Sequence, residues 1–319
     1  MSFFGGGTDM PGFFRENGGS VISTTFDKYC YVTARHLPPF FDYKNEAVYS
    51  RIERVSDPSE FEHPVVRNAM AMLDMRDIRV AYEADLPARS GLGTSSSFAV
   101  GLLNAFHCMK GAYASRERLA KEAIRLEREL CEEAGGWQDQ VAAAYGGLNR
   151  IDFSGNSFSV RPIVISNRRK RELESSLLMF FTGFTRFSSE MQKENKVTDK
   201  TALLREMLTL VDEAESVLTD KGRPLSDFGR LLDETWRLKR GTGLKVSTGP
   251  IDGLYARGIA AGALGGKLLG AGGGGFLVFF VEPDACESVR VALSDLLYIP
   301  FEFESEGTQV IYYDPEGSE

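Results

Sequence analysis

One stretch restricts this chain more than any other: Gly265-Gly266-Lys267-Leu268-Leu269-Gly270-Ala271-Gly272-Gly273-Gly274-Gly275. A helix stop needs a single glycine. A run this dense, just before the apolar Phe276 to Val281, implies backbone conformations that side chains would block, so a ligand or another backbone must lie against it. Gly270 to Gly275 fits the pattern G-x-G-x-x-G. However, the small-residue stretch Gly253 to Leu269 reads as a helix before it and Phe276 to Val281 as a strand after it, the reverse of a dinucleotide-binding turn. A nicotinamide-dependent oxidoreductase is therefore disfavoured.

A second glycine segment, Pro87-Ala88-Arg89-Ser90-Gly91-Leu92-Gly93-Thr94-Ser95-Ser96-Ser97, lies between the strand pattern Ile78 to Tyr82 and the helical pattern Phe98 to Phe106. Glycines there let the backbone approach a ligand, and free amides at a helix N-terminus favour an anion. Serine capping alone explains one Gly and one Ser, but not Gly91, Gly93 and four consecutive hydroxyls. The segment reads as a phosphate site. It is not a Walker A loop, because it has no lysine. Asp227-Phe228-Gly229 spells a protein-kinase triplet but opens a helix, where Asp227 reads as an N-cap. A third segment, Gly5-Gly6-Gly7-Thr8-Asp9-Met10-Pro11, presents Asp9 either to two hydroxyls of a polyol or to an Asx turn before Pro11.

Periodicity adds two carboxylates. Along Arg116 to Glu133 the apolar stripe is Leu119, Ala123, Ile124, Leu130 and Cys131, and position 127 falls on that stripe but holds Glu127. A carboxylate turned inward needs a partner, either a metal ion or an arginine. Asp139, within Gly135-Gly136-Trp137-Gln138-Asp139-Gln140, precedes the small-residue run Val141 to Ala144. It can cap that helix or accept a hydroxyl proton.

Composition bounds the rest. With 319 residues the chain has room for two domains, and a net charge of −8 argues against nucleic-acid binding. The basic cluster Arg168 to Arg171 reads as a solvated connection. No apolar run approaches the ~20 residues of a bilayer span, and Met1-Ser2-Phe3-Phe4-Gly5 carries no basic leader pattern. Four scattered cysteines suit a reduced, cytoplasmic setting. Strand patterns at Phe26 to Ala34, Pro162 to Ile165, Leu177 to Phe181 and Gln309 to Tyr313 mix with helical ones at Ala202 to Leu218, Leu225 to Lys239 and Cys286 to Leu297. The economical reading is two α+β domains, 1–170 and 171–319, with the boundary near 166–176.

Together the three glycine segments resemble the three motifs of the GHMP small-molecule kinases over nearly the whole chain. Phe4 to Pro11, Gly136 to Gln140 and Gly265 to Gly270 are most similar to the D-glycero-D-manno-heptose 7-phosphate kinase branch, with L-fucokinase as a relative. The resemblance implies an N-terminal domain like domain 2 of ribosomal protein S5, a ferredoxin-like C-terminal domain, and ATP and a sugar in the cleft between them. By that resemblance Gly91, Leu92, Gly93, Thr94, Ser95, Ser96 and Ser97 cradle the ATP phosphates, and Ser95 and Glu127 hold Mg²⁺. Asp139 faces the acceptor hydroxyl. Gly7, Thr8, Asp9, Arg186, Gly272 and Gly273 join Asp139 around the substrate. The family's first-strand basic residue, counted back from Gly5, would fall just before Met1.

The expected activity is ATP- and Mg²⁺-dependent phosphorylation of a sugar-phosphate hydroxyl, the anomeric one of a heptose 7-phosphate. The substrate's own phosphate would need a cation, from Arg186 or from Lys239-Arg240. L-Fucose or another GHMP substrate, and a catalytically silent sugar or nucleotide sensor, stand as alternatives. The expected partner is a small-molecule sugar or sugar phosphate, without nucleic acid or membrane. A homodimer is left open.

Overall fold

The computed structural model describes residues 1–87, 91–183, 200–243, 246–270 and 272–314. The chain runs β1 (Ser2–Phe4), α1 (Pro11–Asn17), β2 (Gly19–Ser23), β3 (Thr25–Phe26), β4 (Cys30–His36), β5 (Asn45–Val48), β6 (Ile52–Val55), α2 (Pro64–Met72) and β7 (Ile78–Ala84). It continues through α3 (Thr94–Met109), α4 (Arg116–Ile124), α5 (Gln138–Tyr145), β8 (Asn149–Ser154), β9 (Ser157–Pro162), α6 (Asn167–Ser175) and β10 (Leu177–Phe181). The remainder is α7 (Thr201–Thr219), α8 (Ser226–Gly241), α9 (Gly249–Ala260), β11 (Ala263–Leu268), β12 (Phe276–Val281), α10 (Cys286–Ala292), β13 (Leu297–Ile299) and β14 (Phe303–Glu304).

Three four-stranded sheets organise these elements, in the orders β1-β2-β8-β9, β4-β7-β5-β6 and β11-β12-β10-β13, with β14 pairing β3. Only the β5–β7 pairing is parallel among the described strands. In the third sheet β12 is covered on both faces, so its sequence reads as an unbroken apolar run. Phe276, Val278 and Phe280 join one core with Phe228 and Leu232 of α8, while Leu277, Phe279 and Val281 join another with Ile251 and Tyr255 of α9.

In the first sheet β2 alternates between cores. Val21 faces the N-terminal core built on α3, α4 and α5, and Ile22 faces the core that contains α7 and α8. Phe3 and Phe4 of β1 enter that second core too, each packing edge-on against Phe228. The first strand thus belongs by packing to the C-terminal half.

Several local expectations are corrected. The stretch Gly253 to Leu269 is not one helix: α9 stops at Ala260 and β11 follows. Its small residues reflect close packing of strand on helix and ring, since a Cβ on Gly265 would lie 1.9 Å from the Gly229 carbonyl oxygen and one on Gly266 2.7 Å from the Phe279 ring. Residues 309 to 313 form no strand, and Val310 to Tyr313 are exposed. Asp227 sits one residue inside α8, paired with Arg230 and Arg223 instead of capping. The basic cluster lies on α6, where Arg169 donates to the carbonyls of Val217, Leu218 and Arg223. The Val217 and Leu218 carbonyls are in the last turn of α7, where no intrahelical donor is left for them, so this arginine is a structural cap.

Candidate active site

The strand-to-helix turn before α3 is built as an anion site. Gly93 occupies the N-cap position in the left-handed region, with φ 74°, and no side chain caps the helix. The first amides of α3 therefore keep their donors free, at the positive end of the helix dipole. Ser95 is exposed at this end, while Ser96 is buried. Both hydroxyls donate to Glu127, Ser95 Oγ to Oε1 at 2.8 Å and Ser96 Oγ to Oε2 at 2.7 Å, and Gln140 Nε2 donates to Oε2 at 2.5 Å.

Glu127 is 1% exposed, so the inward direction read from periodicity holds. The helix does not continue regularly past it. From Arg125 to Leu130 the chain makes a π-helical turn, with Cys131 N–H donating to the Leu126 carbonyl. Such turns carry one extra residue and concentrate at functional sites. The extra residue also rotates Leu130 outward to 38% exposure, which corrects its place on the apolar stripe. Among the described residues no arginine pairs with Glu127; its partners are hydroxyls and an amide.

The Ser95 and Glu127 oxygens fit a magnesium ion. Two ligands at right angles, each about 2.0–2.1 Å from Mg²⁺, lie about 2.9 Å apart, close to the 2.8 Å seen. No group of three His, Cys, Asp or Glu side chains able to hold a metal occurs among the described residues. That suits an ion held by one or two protein oxygens, with phosphates and water completing its shell.

Asp139 stands on the first turn of α5, two residues past the N-cap Trp137, and does not cap. Its carboxylate is 3.3–3.6 Å from where a Cβ on Gly93 would lie, so it abuts the anion turn. Leu92, Gly93, Thr94, Ser97 and Asp139 line one hollow. Burial, and then the negative charge of Asp9, push the Asp139 carboxyl up to about 6, where it can take a proton near neutral pH.

Asp9 is 2% exposed and bridges two segments: Oδ1 accepts from Gly7 N–H at 2.9 Å, and Oδ2 from Gln138 N–H at 3.3 Å. The glycine pair before Trp137 is explained here. A Cβ on Gly136 would lie 1.8 Å from Asp9 Oδ2, and one on Gly135 2.7 Å from the Arg128 guanidinium. Thr8 is fully buried and its hydroxyl bonds Gly5, Ser20 O and Ser20 N. The Thr8 side chain thus fixes the loop next to Asp9.

The glycine-rich hairpin turn between β11 and β12 meets a backbone. A Cβ on Gly270 would lie 2.5 Å from Gly91 Cα, and one on Gly91 2.7 Å from the Leu269 carbonyl oxygen. Gly272 packs in the same way on Val246, whose carbonyl accepts from Gly273 N–H at 3.2 Å. The Gly265 to Gly275 segment thus buttresses the Pro87 to Ser97 segment, and both Gly272 and Gly273 lie on this buttress. Arg186 lies outside the described residues. Sequence reasoning missed Gln140 and Lys267. The latter is a lone lysine in an apolar strand, 6% exposed, whose ammonium donates to Ser2 O and Phe3 O at 2.9 and 3.0 Å.

An uncapped helix N-terminus, a hydroxyl and carboxylate pair of magnesium geometry and an aspartate with its pKa pushed up to about 6 are groups of the kind phosphoryl transfer uses. The family models agree: GHMP kinases N terminal domain matches residues 63–147 and GHMP kinases C terminal matches 214–299. The chain belongs to the GHMP kinase family, phosphotransferases that act on an alcohol group, and within it to the sugar kinases.

Among relatives, the D-glycero-alpha-D-manno-heptose 7-phosphate kinase of Campylobacter jejuni is 34% identical over 71% of this chain and 68% of its own length. The bifunctional fucokinase/GDP-fucose pyrophosphorylase of Arabidopsis thaliana is 28% identical over 70% of this chain, but the match spans 22% of that protein. A crystal structure of a D-glycero-D-manno-heptose 1-phosphate kinase from Bacteroides thetaiotaomicron superposes with a TM-score of 0.79 at 25% identity, covering 98% of this chain and 97% of that one. Among the described residues no helix is long and apolar enough to cross a membrane.

Proposed function

We propose that the chain transfers the γ-phosphoryl group of ATP to the anomeric hydroxyl of D-glycero-D-manno-heptose 7-phosphate, giving the 1,7-bisphosphate. One observation carries the chemistry: the Asp139 carboxylate lies directly against the uncapped N-terminus of α3. A proton acceptor and a phosphate cradle are thus within reach of a single acceptor oxygen. The choice of a heptose phosphate is supported by the 34% identical relative; fucokinases are more distant, at 28%.

In this reading the free amides of Thr94 to Ser96 receive phosphate oxygens, and Gly91 and Gly93 let them come close. Ser95 and Glu127 would hold Mg²⁺, which neutralises charge on the phosphoryl oxygens as the transfer proceeds. Asp139 orients the acceptor hydroxyl and takes its proton, while Asp9 grips neighbouring hydroxyls. Phosphoryl transfer needs mainly positioning and charge neutralisation, which these groups supply. The segments 1–170 and 171–319 act as two halves of one cleft, with Gly272 and Gly273 closing it near the substrate. A cytoplasmic location, where ATP is available, goes with this reading.

The test is ADP release with Mg-ATP against D-glycero-D-manno-heptose 7-phosphate, L-fucose, galactose, homoserine and mevalonate. The expected result is turnover with the heptose phosphate, lost in Asp139→Asn while ATP still binds. Turnover with fucose alone would move the substrate assignment. Undiminished turnover by Asp139→Asn would remove that residue from the mechanism.

A further inference from the structure

Resting on the kinase reading above, the geometry points to Lys239 as the residue that selects a phosphorylated sugar over its neutral counterpart, by binding the anionic group of the acceptor. Lys239 belongs to α8 in the C-terminal half, yet its ammonium reaches the Gly5 to Pro11 segment and donates to the Gly6 carbonyl at 2.9 Å. It also lies 3.3 Å from where a Cβ on Gly7 would be, so the absence of a side chain there keeps the approach to it open. An ammonium has three N–H donors, and among the described residues one of them is used.

The charge around it is unbalanced. Among the described residues Asp9 is the carboxylate that acts on Lys239, and its two oxygens are engaged by the Gly7 and Gln138 amides. Lys200 pushes against Lys239, as Lys239 does against the buried Lys267. Lys239 and Lys267 thus both lie near the hydrogen-bonded Asp9 carboxylate, with Lys200 beside Lys239, an arrangement that gains from a second anion. A neutral polyol would leave that surplus uncompensated.

Asp9 also fixes the order of the site. One of its oxygens is tied to Gly7, beside Lys239; the other is tied to Gln138, next to Asp139. Lys239 and Asp139 each lie close enough to Asp9 to feel its charge. On the proposed reading, a sugar whose reacting hydroxyl meets Asp139 and whose middle hydroxyls meet Asp9 would turn another end toward Lys239. The sequence offered Arg240 equally, but its guanidinium is turned away, 3.3 Å from Asp252 and over the Trp236 ring.

The experiment compares wild type, Lys239→Met and Lys239→Arg with D-glycero-D-manno-heptose 7-phosphate and with the dephosphorylated heptose. In Lys239→Met the KM for the phosphorylated sugar should rise about 10- to 100-fold, the loss of one charged hydrogen bond. Its kcat, its KM for ATP and its KM for the neutral sugar should change less than about threefold, with partial recovery in Lys239→Arg. Equal changes for both sugars, or none, would overturn the assignment. A second measurement is independent of turnover: calorimetric titration of inorganic phosphate with the phosphate loop filled by a non-hydrolysable Mg-ATP analogue. Wild type should bind and Lys239→Met should not. Equal binding, or no binding by wild type, would overturn the anion site even if the heptose assignment itself had failed.

Discussion

Replacing Gly270 by alanine separates the two jobs of the glycine-rich hairpin turn, holding its own conformation and supporting the phosphate loop. Gly270 sits at φ +86°, where an L side chain costs roughly 1–2 kcal/mol. The added Cβ would also lie 2.5 Å from Gly91 Cα and 2.7 Å from Gly91 O. Carbon atoms pack at about 3.5–4.0 Å, so one of the two loops must retreat by about 1 Å. Gly270 is anchored through Leu269 to the buried strand pair β11 and β12, whereas Gly91 belongs to a connecting segment, so the phosphate loop gives way. A displacement of that size at a site positioning a reacting phosphate costs about a hundredfold in rate. The backbone strain alone lowers Tm by about 1.5–3 °C for a chain of 319 residues. Steady-state kinetics with varied ATP, beside thermal unfolding, should show kcat/KM for ATP falling about a hundredfold in protein that remains folded at the assay temperature. Gly12→Ala, with nothing within 4 Å of the new methyl, serves as control and should keep full activity. Unchanged kcat/KM for ATP in Gly270→Ala would refute the idea that this turn positions the phosphate loop.

Three further outcomes follow from the buried charges. Asp139 accepts a proton only as the carboxylate, so with its pKa pushed up to about 6 the rate should fall as pH drops through 6. In Asp9→Asn, measured as kcat at saturating sugar, the inflection should move to lower pH, because the Asp9 charge is one cause of the upward shift; a flat profile to pH 5 would contradict the role. Glu127→Gln should raise the Mg²⁺ concentration for half-maximal rate at least about tenfold, with near-native circular dichroism, since the amide keeps one acceptor but loses the charge. Lys267, pulled down to about 7 by burial, binds fewer protons folded than unfolded between pH 7 and its ordinary value of 10.5. Wild-type stability measured by urea unfolding should therefore rise with pH across that window relative to Lys267→Met, and below pH 7 the burial penalty should be fully present. A pH-independent difference between the two proteins would show that Lys267 keeps one protonation state throughout.

What was legible in the sequence follows from the range of each interaction. Glu127 was readable because a helix repeats locally, so one charged residue on an apolar stripe stands out within a few turns. The π-helical turn at Arg125 to Leu130 was not, because one added residue leaves no local mark, and Leu130 was therefore placed on the wrong face. The glycines of Gly265 to Gly275 announced that something packs on them, but not that the something is Gly91, far away along the chain. Gly258, Gly265 and Gly266 imitated a small-residue helix because the space they leave is filled by Phe279 and by α8, partners visible only in the fold. Lys267 carried no signal within a stretch that reads as a helix, since its meaning lies in the carbonyls of Ser2 and Phe3 at the other end of the chain.

The same long-range contacts show why the site depends on both halves. Ser95, Glu127 and Asp139 all belong to the N-terminal half and are arranged by α3, the turn after α4 and α5, elements of one core. The first strand packs elsewhere. Phe3 and Phe4 sit in the core with Phe228 of α8 and Val278 and Phe280 of β12, and Lys267 holds the Ser2 and Phe3 carbonyls from β11. The Gly5 to Asp9 loop is the direct continuation of that strand, so the position of Asp9 is set by the C-terminal half while its ligands, the Gly7 and Gln138 amides, tie it to Asp139. Lys239 adds a second tie from α8 to Gly6. On the proposed reading, substrate groups at Asp9 and Lys239 would be registered against the Gly91 to Ser97 loop through two packed cores, and the Gly91 to Gly270 contact ties that loop to the C-terminal half. Loosening the Gly91 to Gly270 contact or the Lys267 tie to the first strand should cost positioning before it costs folding, which is why an informative substitution lies at Gly270 as much as at Asp139.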